Sequence, residues 1–141
     1  MWIELTPGLL ISRVSGPEHD ALRNAATDPD QADALADIVG KIAAEWRGGL
    51  ALVVALSKRP LAVPPEVEIH ILADFRFRAF TRLPGMKRFL DDLRVKEWER
   101  ANYVRDHLAK TAIAPPEDDD LLEGGSAPMT PGIIVPPRVL D

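Results

Sequence analysis

Few side chains in this sequence are of the types that perform nucleophilic, acid–base or metal chemistry, and those few are widely spaced. The three histidines, His19, His70 and His107, fall in three different predicted helices. None forms the paired or His-Glu-x-x-His arrangement that binds zinc. No serine lies in the Gly-x-Ser-x-Gly turn that positions a hydrolase nucleophile. We therefore expect each histidine to be a surface or boundary side chain, and we expect no catalytic residue and no metal site.

Signals for a cofactor are also missing from the sequence. The chain has no cysteine, which excludes disulfides, thiolate metal sites and a cysteine nucleophile within it. The glycine pairs Gly48-Gly49 and Gly124-Gly125 lack the lysine and the helix context of a phosphate-binding loop. The acidic run Glu117–Asp120 lacks the alternating ligands and central glycine of a calcium loop. The sequence thus predicts a protein that is not an enzyme and that holds no cofactor.

The elements that carry these residues are predicted to be helices. Start signals, either a capping side chain or a proline in the first turn, occur at Thr6-Pro7, Ser15-Gly16-Pro17-Glu18, Asp28-Pro29, Pro64-Pro65-Glu66 and Asp91-Asp92. In the third segment, apolar side chains recur at spacings of three and four, at Leu35, Ile38, Val39, Ile42 and Trp46. We expect this helix to end at Gly48-Gly49, the fourth near Leu83 and the fifth near Ile113. The pattern predicts an all-α domain over residues 1–113, a small bundle of about five helices.

One apolar run does not fit this helical pattern. Residues 50–56 are all apolar, with the sequence Leu-Ala-Leu-Val-Val-Ala-Leu. A run of this length suits a buried strand as well as a buried helical turn. A single strand would need a partner for its backbone groups, which a second subunit could supply. The alternative is an apolar loop packed on its own core. The run is therefore a possible short β segment, and no run approaches the ~18–20 apolar residues of a membrane span.

Charge is segregated along the chain. The formal net charge of −5 divides into −5 over residues 1–75, +5 over residues 76–110 and −5 over residues 111–141. This order favours either self-complementary charge or a polyanionic partner. The bases nearest the bend between the fourth and fifth helices form the candidate charged interface or channel: Arg76, Arg78, Arg82, Lys87 and Arg88. They could contact nucleic-acid phosphates, pair with acids of a neighbouring subunit, or form an ordinary solvated face.

The last part of the chain, residues 114–141, is predicted to be an extended, acidic and proline-rich arm. It contains a disproportionate share of the 13 prolines and two small apolar clusters. A purely flexible tail would not need those clusters, whereas an arm that docks on a partner would use them. The expected partner contacts are Ile133, Ile134, Val135, Val139 and Leu140.

Parts of the sequence resemble the small neck proteins of tailed bacteriophages and prophages, including a Mu-like prophage group. The resemblance covers roughly residues 30–113. It is carried by the stretch from Ala32 to Gly48, the bridge to Pro64-Pro65-Glu66, the Arg82-Leu83-Pro84 helix stop, and Glu97-x-Glu99-Arg100-Ala101 followed by Leu108 and Ala109. Proteins of this kind are head–tail connectors, also called adaptor or head-completion proteins.

The resemblance implies a helical structural protein that assembles as a homo-oligomeric ring, twelve-fold in the virion, below the portal protein. Such a ring extends the DNA channel close to the packaged DNA and provides the docking platform for stopper or tail-completion proteins. The implied location is the neck between capsid and tail, reached from the host cytoplasm during assembly. The C-terminal arm would reach the portal or a neighbouring subunit. No catalytic residue is implied, and no membrane contact is expected.

Two other functions remain open at the level of sequence. One is a tail-side ring protein of the tail-terminator type, which would share the ring but not the portal contact. The other is a small helical DNA-binding or regulatory module that uses the basic segment 76–105. Salt-sensitive DNA binding by the isolated protein would favour the module, because phosphate contacts weaken steeply as salt rises.

Overall fold

Residues 1–117, 120 and 121 are described by a computed structural model of the chain, and within them the fold is all-α. Five α-helices follow in order: α1 (Pro7–Ser12), α2 (Gly16–Thr27), α3 (Pro29–Leu50), α4 (Glu68–Arg82) and α5 (Asp92–Asp106). Single turns of 3-10 helix occupy Pro65–Val67, Lys87–Phe89 and Leu108–Lys110. Two short strands, β1 (Ile3–Glu4) and β2 (Ala62–Val63), pair antiparallel with Ile3 opposite Val63 and Glu4 opposite Ala62. The helical bundle predicted from the sequence is confirmed.

Three of the predicted helix caps form as expected. The Thr6 hydroxyl accepts a hydrogen bond from the Leu9 amide at 3.0 Å, and the Asp28 carboxylate accepts from the Asp30 amide at 3.0 Å. The Asp91 carboxylate accepts from the Arg94 amide at 2.9 Å. Each bond satisfies an amide that the first helical turn leaves without a partner.

The capping box predicted at Ser15 does not form, although α2 begins beside it. The Ser15 side chain makes no capping bond. Glu18 instead accepts two hydrogen bonds from Arg94, at 2.9 and 3.0 Å. A paired, charge-assisted contact is stronger than a bond to a neutral amide, so the tertiary partner prevails over the local one.

The helix α3 continues past Gly48-Gly49 to Leu50, so the predicted stop is wrong. A Cβ atom at Gly49 would lie 3.1 Å from Leu108 Cδ1 and 3.6 Å from the Arg105 carbonyl oxygen. Gly49 therefore serves the close approach of the segment that follows α5, and the helical hydrogen bonds continue through it. The apolar stripe of α3 is confirmed, because Leu35, Ile38, Val39, Ile42 and Trp46 are all buried.

The possible β segment at 50–56 is instead a series of turns. The amides of Val53 and Val54 both donate to the Leu50 carbonyl, at 3.0 and 2.9 Å. Leu50 and Val54 point into the core, whereas Leu52 and Val53 face outward. The turn buries Leu50 and Val54 and exposes the consecutive residues Leu52 and Val53, whereas a strand would have directed successive side chains to opposite faces.

Of the other predicted helix ends, that of α4 is close to the observed one, and that of α5 is wrong. The helix α4 follows the single turn Pro65–Val67 and ends at Arg82, and Gly85 takes a positive φ of 75° in the turn beyond it. The helix α5 ends at Asp106 rather than near Ile113. The core between the helices includes the fully buried aromatic side chains Trp46, Phe75 and Phe80.

Candidate interaction sites

The basic segment on α4 and α5 pairs with acidic residues of the same chain. Arg82 contacts Asp37 of α3 at 2.6 Å. Arg94 contacts Glu18 of α2 at 2.9 Å. Two of the three charge blocks thus neutralise each other within one subunit, which is the self-complementary alternative.

One of these contacts is centred on a buried carboxylate. Asp74 of α4 is 0% exposed and accepts hydrogen bonds from Trp46 Nε1 at 3.1 Å and from Arg78 Nε at 2.8 Å. Arg105 of α5 lies 3.7 Å from the same carboxylate, and Glu45 of α3 binds Arg78 at 2.6 Å. Burial opposes the charge of Arg78, but the bonds to Glu45 and Asp74 outweigh it and raise the pKa of Arg78. The cluster joins three helices and is fully engaged in structural contacts.

The five predicted interface residues therefore separate into different environments. Arg78 and Arg82 are engaged in ion pairs within the subunit. Lys87 and Arg88 are exposed on the turn between α4 and α5, where the Arg88 guanidinium donates to the Gly85 carbonyl and lies 4.4 Å from the centre of the Phe89 ring. Arg76 lines a groove. Their role as an interface or channel remains a prediction.

That groove, the α4–α5 groove, runs between the first halves of two helices and has a volume of about 520 Å³. Its apolar surface comes from α4 and its charged rim largely from α5. The lining residues are Ile69, His70, Leu72, Ala73, Arg76, Lys96, Glu97 and Arg100. Burial, and then the nearby charge of Arg100, lower the pKa of His70, which favours the neutral imidazole there.

A second groove, the Leu52 groove, has a volume of about 630 Å³ and lies where the end of α3 meets the end of α5. Leu52 is 71% exposed and Val53 is 37% exposed at its edge. Leu108 and Gly49 also line it, together with Arg105 and Lys110. The groove combines uncovered apolar side chains with basic ones.

The chain beyond α5 returns to the N-terminal end of the fold. Trp2 Nε1 donates to the Ala114 carbonyl at 3.0 Å, and the Ala114 amide donates to Glu66 at 3.0 Å. Further on, Arg59 binds both carboxylate oxygens of Asp120, at 2.9 and 2.8 Å. Residues assigned to the arm by sequence therefore contact the domain.

We call the contacts among Ser57, Arg59 and Asp120 the C-terminal latch. The buried Ser57 hydroxyl donates to Asp120 at 2.6 Å, and the backbone of Ser57 pairs with that of Leu121. The hydrogen bonds from Arg59, and then from Ser57, lower the pKa of Asp120 to about 2. The latch thus holds Asp120 and Leu121 against the domain. Ile133, Ile134, Val135, Val139 and Leu140 lie outside the described residues.

The three histidines lie on separate elements. His19 Nδ1 is 3.3 Å from Asp20 of the same helix, and His107 Nδ1 is 2.7 Å from the Tyr103 carbonyl oxygen. Within residues 1–117, 120 and 121, no three His, Asp or Glu side chains group in a way that could hold a metal ion. In the same residues, no helix is both long and apolar enough to cross a membrane.

Sequence reasoning missed both the buried Asp74 cluster and the C-terminal latch. Each joins residues distant along the chain: Trp46 and Asp74 are separated by 28 positions, and Arg59 and Asp120 by 61. The one local signal for the first was the four-residue spacing of Asp74 and Arg78 on a helix. For the latch, the sequence signal was the opposite charge of two distant segments, the acidic run after the last helix and the basic pair Lys58-Arg59.

Comparisons of the chain with protein-family models, with curated proteins and with solved structures found no match.

Proposed function

We propose that this protein is a structural virion component of a tailed phage, a head–tail connector that forms a homo-oligomeric ring below the portal protein. In this role it extends the DNA channel and gives stopper or tail-completion proteins a docking platform in the virion neck. The function is structural rather than catalytic. The proposal combines the sequence resemblance with features of a single subunit that a neighbouring subunit would complete.

The observation that carries the proposal is the Leu52 groove. An exposed leucine and a partly exposed valine flank a cavity of about 630 Å³. Clustered apolar exposure of this kind typically marks a protein contact, because burying apolar surface contributes roughly 25 cal/mol per Å². A neighbouring subunit in a ring would cover Leu52 and Val53.

The arm supports the same proposal. The C-terminal latch holds Asp120 and Leu121 against the loop that follows the Leu52 groove. Beyond Leu121 the chain contains the apolar clusters Ile133–Val135 and Val139-Leu140. In the connector these clusters contact the portal or a neighbouring subunit.

Pairing within the subunit makes the DNA-binding module the weaker alternative. Of the basic segment, Arg78, Arg82, Arg94 and Arg105 all contact carboxylates of the same chain. An arginine must break its ion pair with such a carboxylate before it can bind a phosphate, so the net free energy gained from the phosphate contact is smaller. The channel-lining role of the connector requires only proximity to DNA and no tight phosphate contacts.

The test is electron microscopy and native mass spectrometry of the full chain, alone and mixed with the portal protein encoded in the same genome. We expect closed rings bound to the portal. The double variant Leu52→Asp with Val53→Asp should weaken ring formation at least tenfold, because the interface would have to bury two unpaired carboxylates.

The matched control is Leu93→Asp, which changes another exposed leucine, 59% accessible, outside the Leu52 groove. This variant should form rings as the unmodified chain does. A chain that stays monomeric with and without the portal would overturn the proposal. Rings that form but do not bind the portal would contradict the connector and support the tail-side ring. Salt-sensitive DNA binding without rings would support the DNA-binding module.

A further inference from the structure

The α4–α5 groove contains an arginine whose partners are incomplete. Arg76 Nε is buried and has no hydrogen-bond partner among the described residues. Its nearest carboxylates, Glu18 and Glu97, lie 3.7 and 4.0 Å away, and both form shorter contacts with Arg94, at 2.9 and 2.8 Å. A buried, charged donor without an acceptor is costly, so this site favours an additional anion.

The surroundings of Arg76 define what kind of anion fits. Lys96 and Arg100 stand exposed on the rim and form no ion pair within the described part of the chain, so three cations face one groove. The remaining lining is aliphatic, with Ile69 71% exposed and Leu72 partly buried. An inorganic anion would satisfy the cations but leave the aliphatic side chains in water. The groove therefore fits a carboxylate next to aliphatic side chains.

The chain contains such a segment beyond the latch. After Leu121 it has two acidic residues, Glu123 and Asp141, and each follows two aliphatic residues, Leu121-Leu122 and Val139-Leu140. Glu123 lies only two positions beyond Leu121, which the latch holds against its own subunit, so Asp141 is the one with enough chain before it to reach another subunit. Twenty residues separate Leu121 from Asp141, which allows a span of about 66 Å when extended. That span is about twice the length of the 22-residue helix α3, roughly 33 Å. The segment can reach a second subunit.

We propose that the α4–α5 groove of one subunit binds Val139–Asp141 of a second copy of this chain, with the Asp141 carboxylate at Arg76 and the aliphatic side chains on Ile69 and Leu72. This inference rests on the proposed ring, because a head-to-tail contact between different surfaces repeats around a closed ring. It identifies the receiving surface for the last apolar cluster of the arm.

Disulfide trapping tests the contact directly, since the chain has no cysteine of its own. Two full-length single variants, Ile69→Cys and Arg138→Cys, are mixed and oxidised, and the linked peptides are identified by mass spectrometry. Arg138→Cys leaves Val139, Leu140 and Asp141 unchanged. We expect a mixed 69–138 disulfide, which in this mixture can form only between two copies. Adding Asp141→Asn should lower its yield about tenfold, the loss expected for one charge-assisted hydrogen bond.

The control pair is Leu93→Cys with Arg138→Cys, because Leu93 is exposed on α5 but does not line the groove. Equal yields from the two pairs, or a yield unaffected by Asp141→Asn, would overturn the inference. A double variant that forms the 69–138 disulfide only within one chain would show that the segment binds its own subunit and would also overturn it. Rings that form and bind the portal without the 69–138 disulfide would leave the connector supported and this contact refuted.

Discussion

At the scale of single residues, Asp120 shows how one side chain connects the end of the described chain to its beginning. Its carboxylate binds Arg59, and Arg59 also donates to the Trp2 carbonyl at 3.0 Å. The Ser57 hydroxyl adds a 2.6 Å bond to the same carboxylate. The three hydrogen bonds to this carboxylate, two from Arg59 and one from Ser57, all favour its ionised form, so the strength of the latch depends on the protonation state of one group.

We expect the pKa of Asp120 to be about 2 in the intact chain and to return toward its ordinary value of 3.8 in the variant Arg59→Gln. Because the pKa is lower in the folded state, the ionised carboxylate stabilises the folded latch above pH of about 4. That contribution is lost as the pH falls through 2. The pKa of Asp120 is measured in both chains by NMR, from the carbon chemical shift of its carboxyl group during an acid titration.

Asp37 is the internal reference for that titration. Its pKa is also lowered, but by hydrogen bonds from Arg82 and then Lys41, which are not part of the latch. Its titration should not change in Arg59→Gln. An Asp120 pKa that is the same with and without Arg59 would contradict the latch as described.

At the scale of elements, α5 has few fully buried residues of its own. Ala101 is the one residue buried within the helix itself. The remaining attachment includes the stack of Trp98 on Phe77, with ring centres 3.9 Å apart, and the ion pair of Arg94 with Glu18. Just beyond α5, Leu108 packs directly against Gly49 of α3 and adds a close apolar contact.

The neighbouring glycines of α3 provide a matched prediction. Gly48 has open space around its position, so Gly48→Ala should stabilise the fold by about 0.5–1 kcal/mol through the higher helix propensity of alanine. Gly49→Ala places a methyl group 3.1 Å from Leu108 Cδ1 and should be less stable than Gly48→Ala by about 1 kcal/mol or more. Urea denaturation of both variants measures the free energies of unfolding. Equal stabilisation by the two alanines would show that α3 does not need the close approach at Gly49.

At the scale of the whole molecule, contacts of Ala114, Asp120 and Leu121 extend the folded part of the chain beyond residue 113. The sequence boundary at residue 113 excludes Ala114 and Asp120, yet both contact the N-terminal part of the chain. These contacts attach Ala114 to Trp2 and Glu66, and Asp120 to Ser57 and Arg59. A truncation that keeps all of these contacts therefore ends after Leu121 and not at residue 113.

Two truncated chains test this boundary. A chain that ends at Leu121 should unfold at the same temperature as the full chain, because it keeps every described contact. A chain that ends at Ile113 should lose the Ala114 and Asp120 contacts and unfold several degrees lower, since about 1 kcal/mol shifts the midpoint by roughly 4 °C in a domain of this size. Thermal unfolding followed by circular dichroism compares them. Identical midpoints for both truncations would contradict a structural role for residues 114–121.

The helical class, the starts of the helices and the buried stripe of α3 can all be read from local sequence. These features depend on neighbouring residues: a cap or proline acts within one turn, and apolar spacing along a helix defines one face. For the same reason, the acidic and basic blocks were visible, because charge can be counted segment by segment.

Contacts between distant parts of the chain set which charges meet, where α3 ends and which apolar residues stay uncovered. Glu18 left its local capping role for Arg94, 76 residues away, and Gly49 continued a helix because Leu108 packs against it. Leu52 and Val53 are exposed because a turn directs them outward while Leu50 and Val54 are buried. Each outcome depends on a partner distant in sequence, and local patterns contain no information about which distant partner prevails.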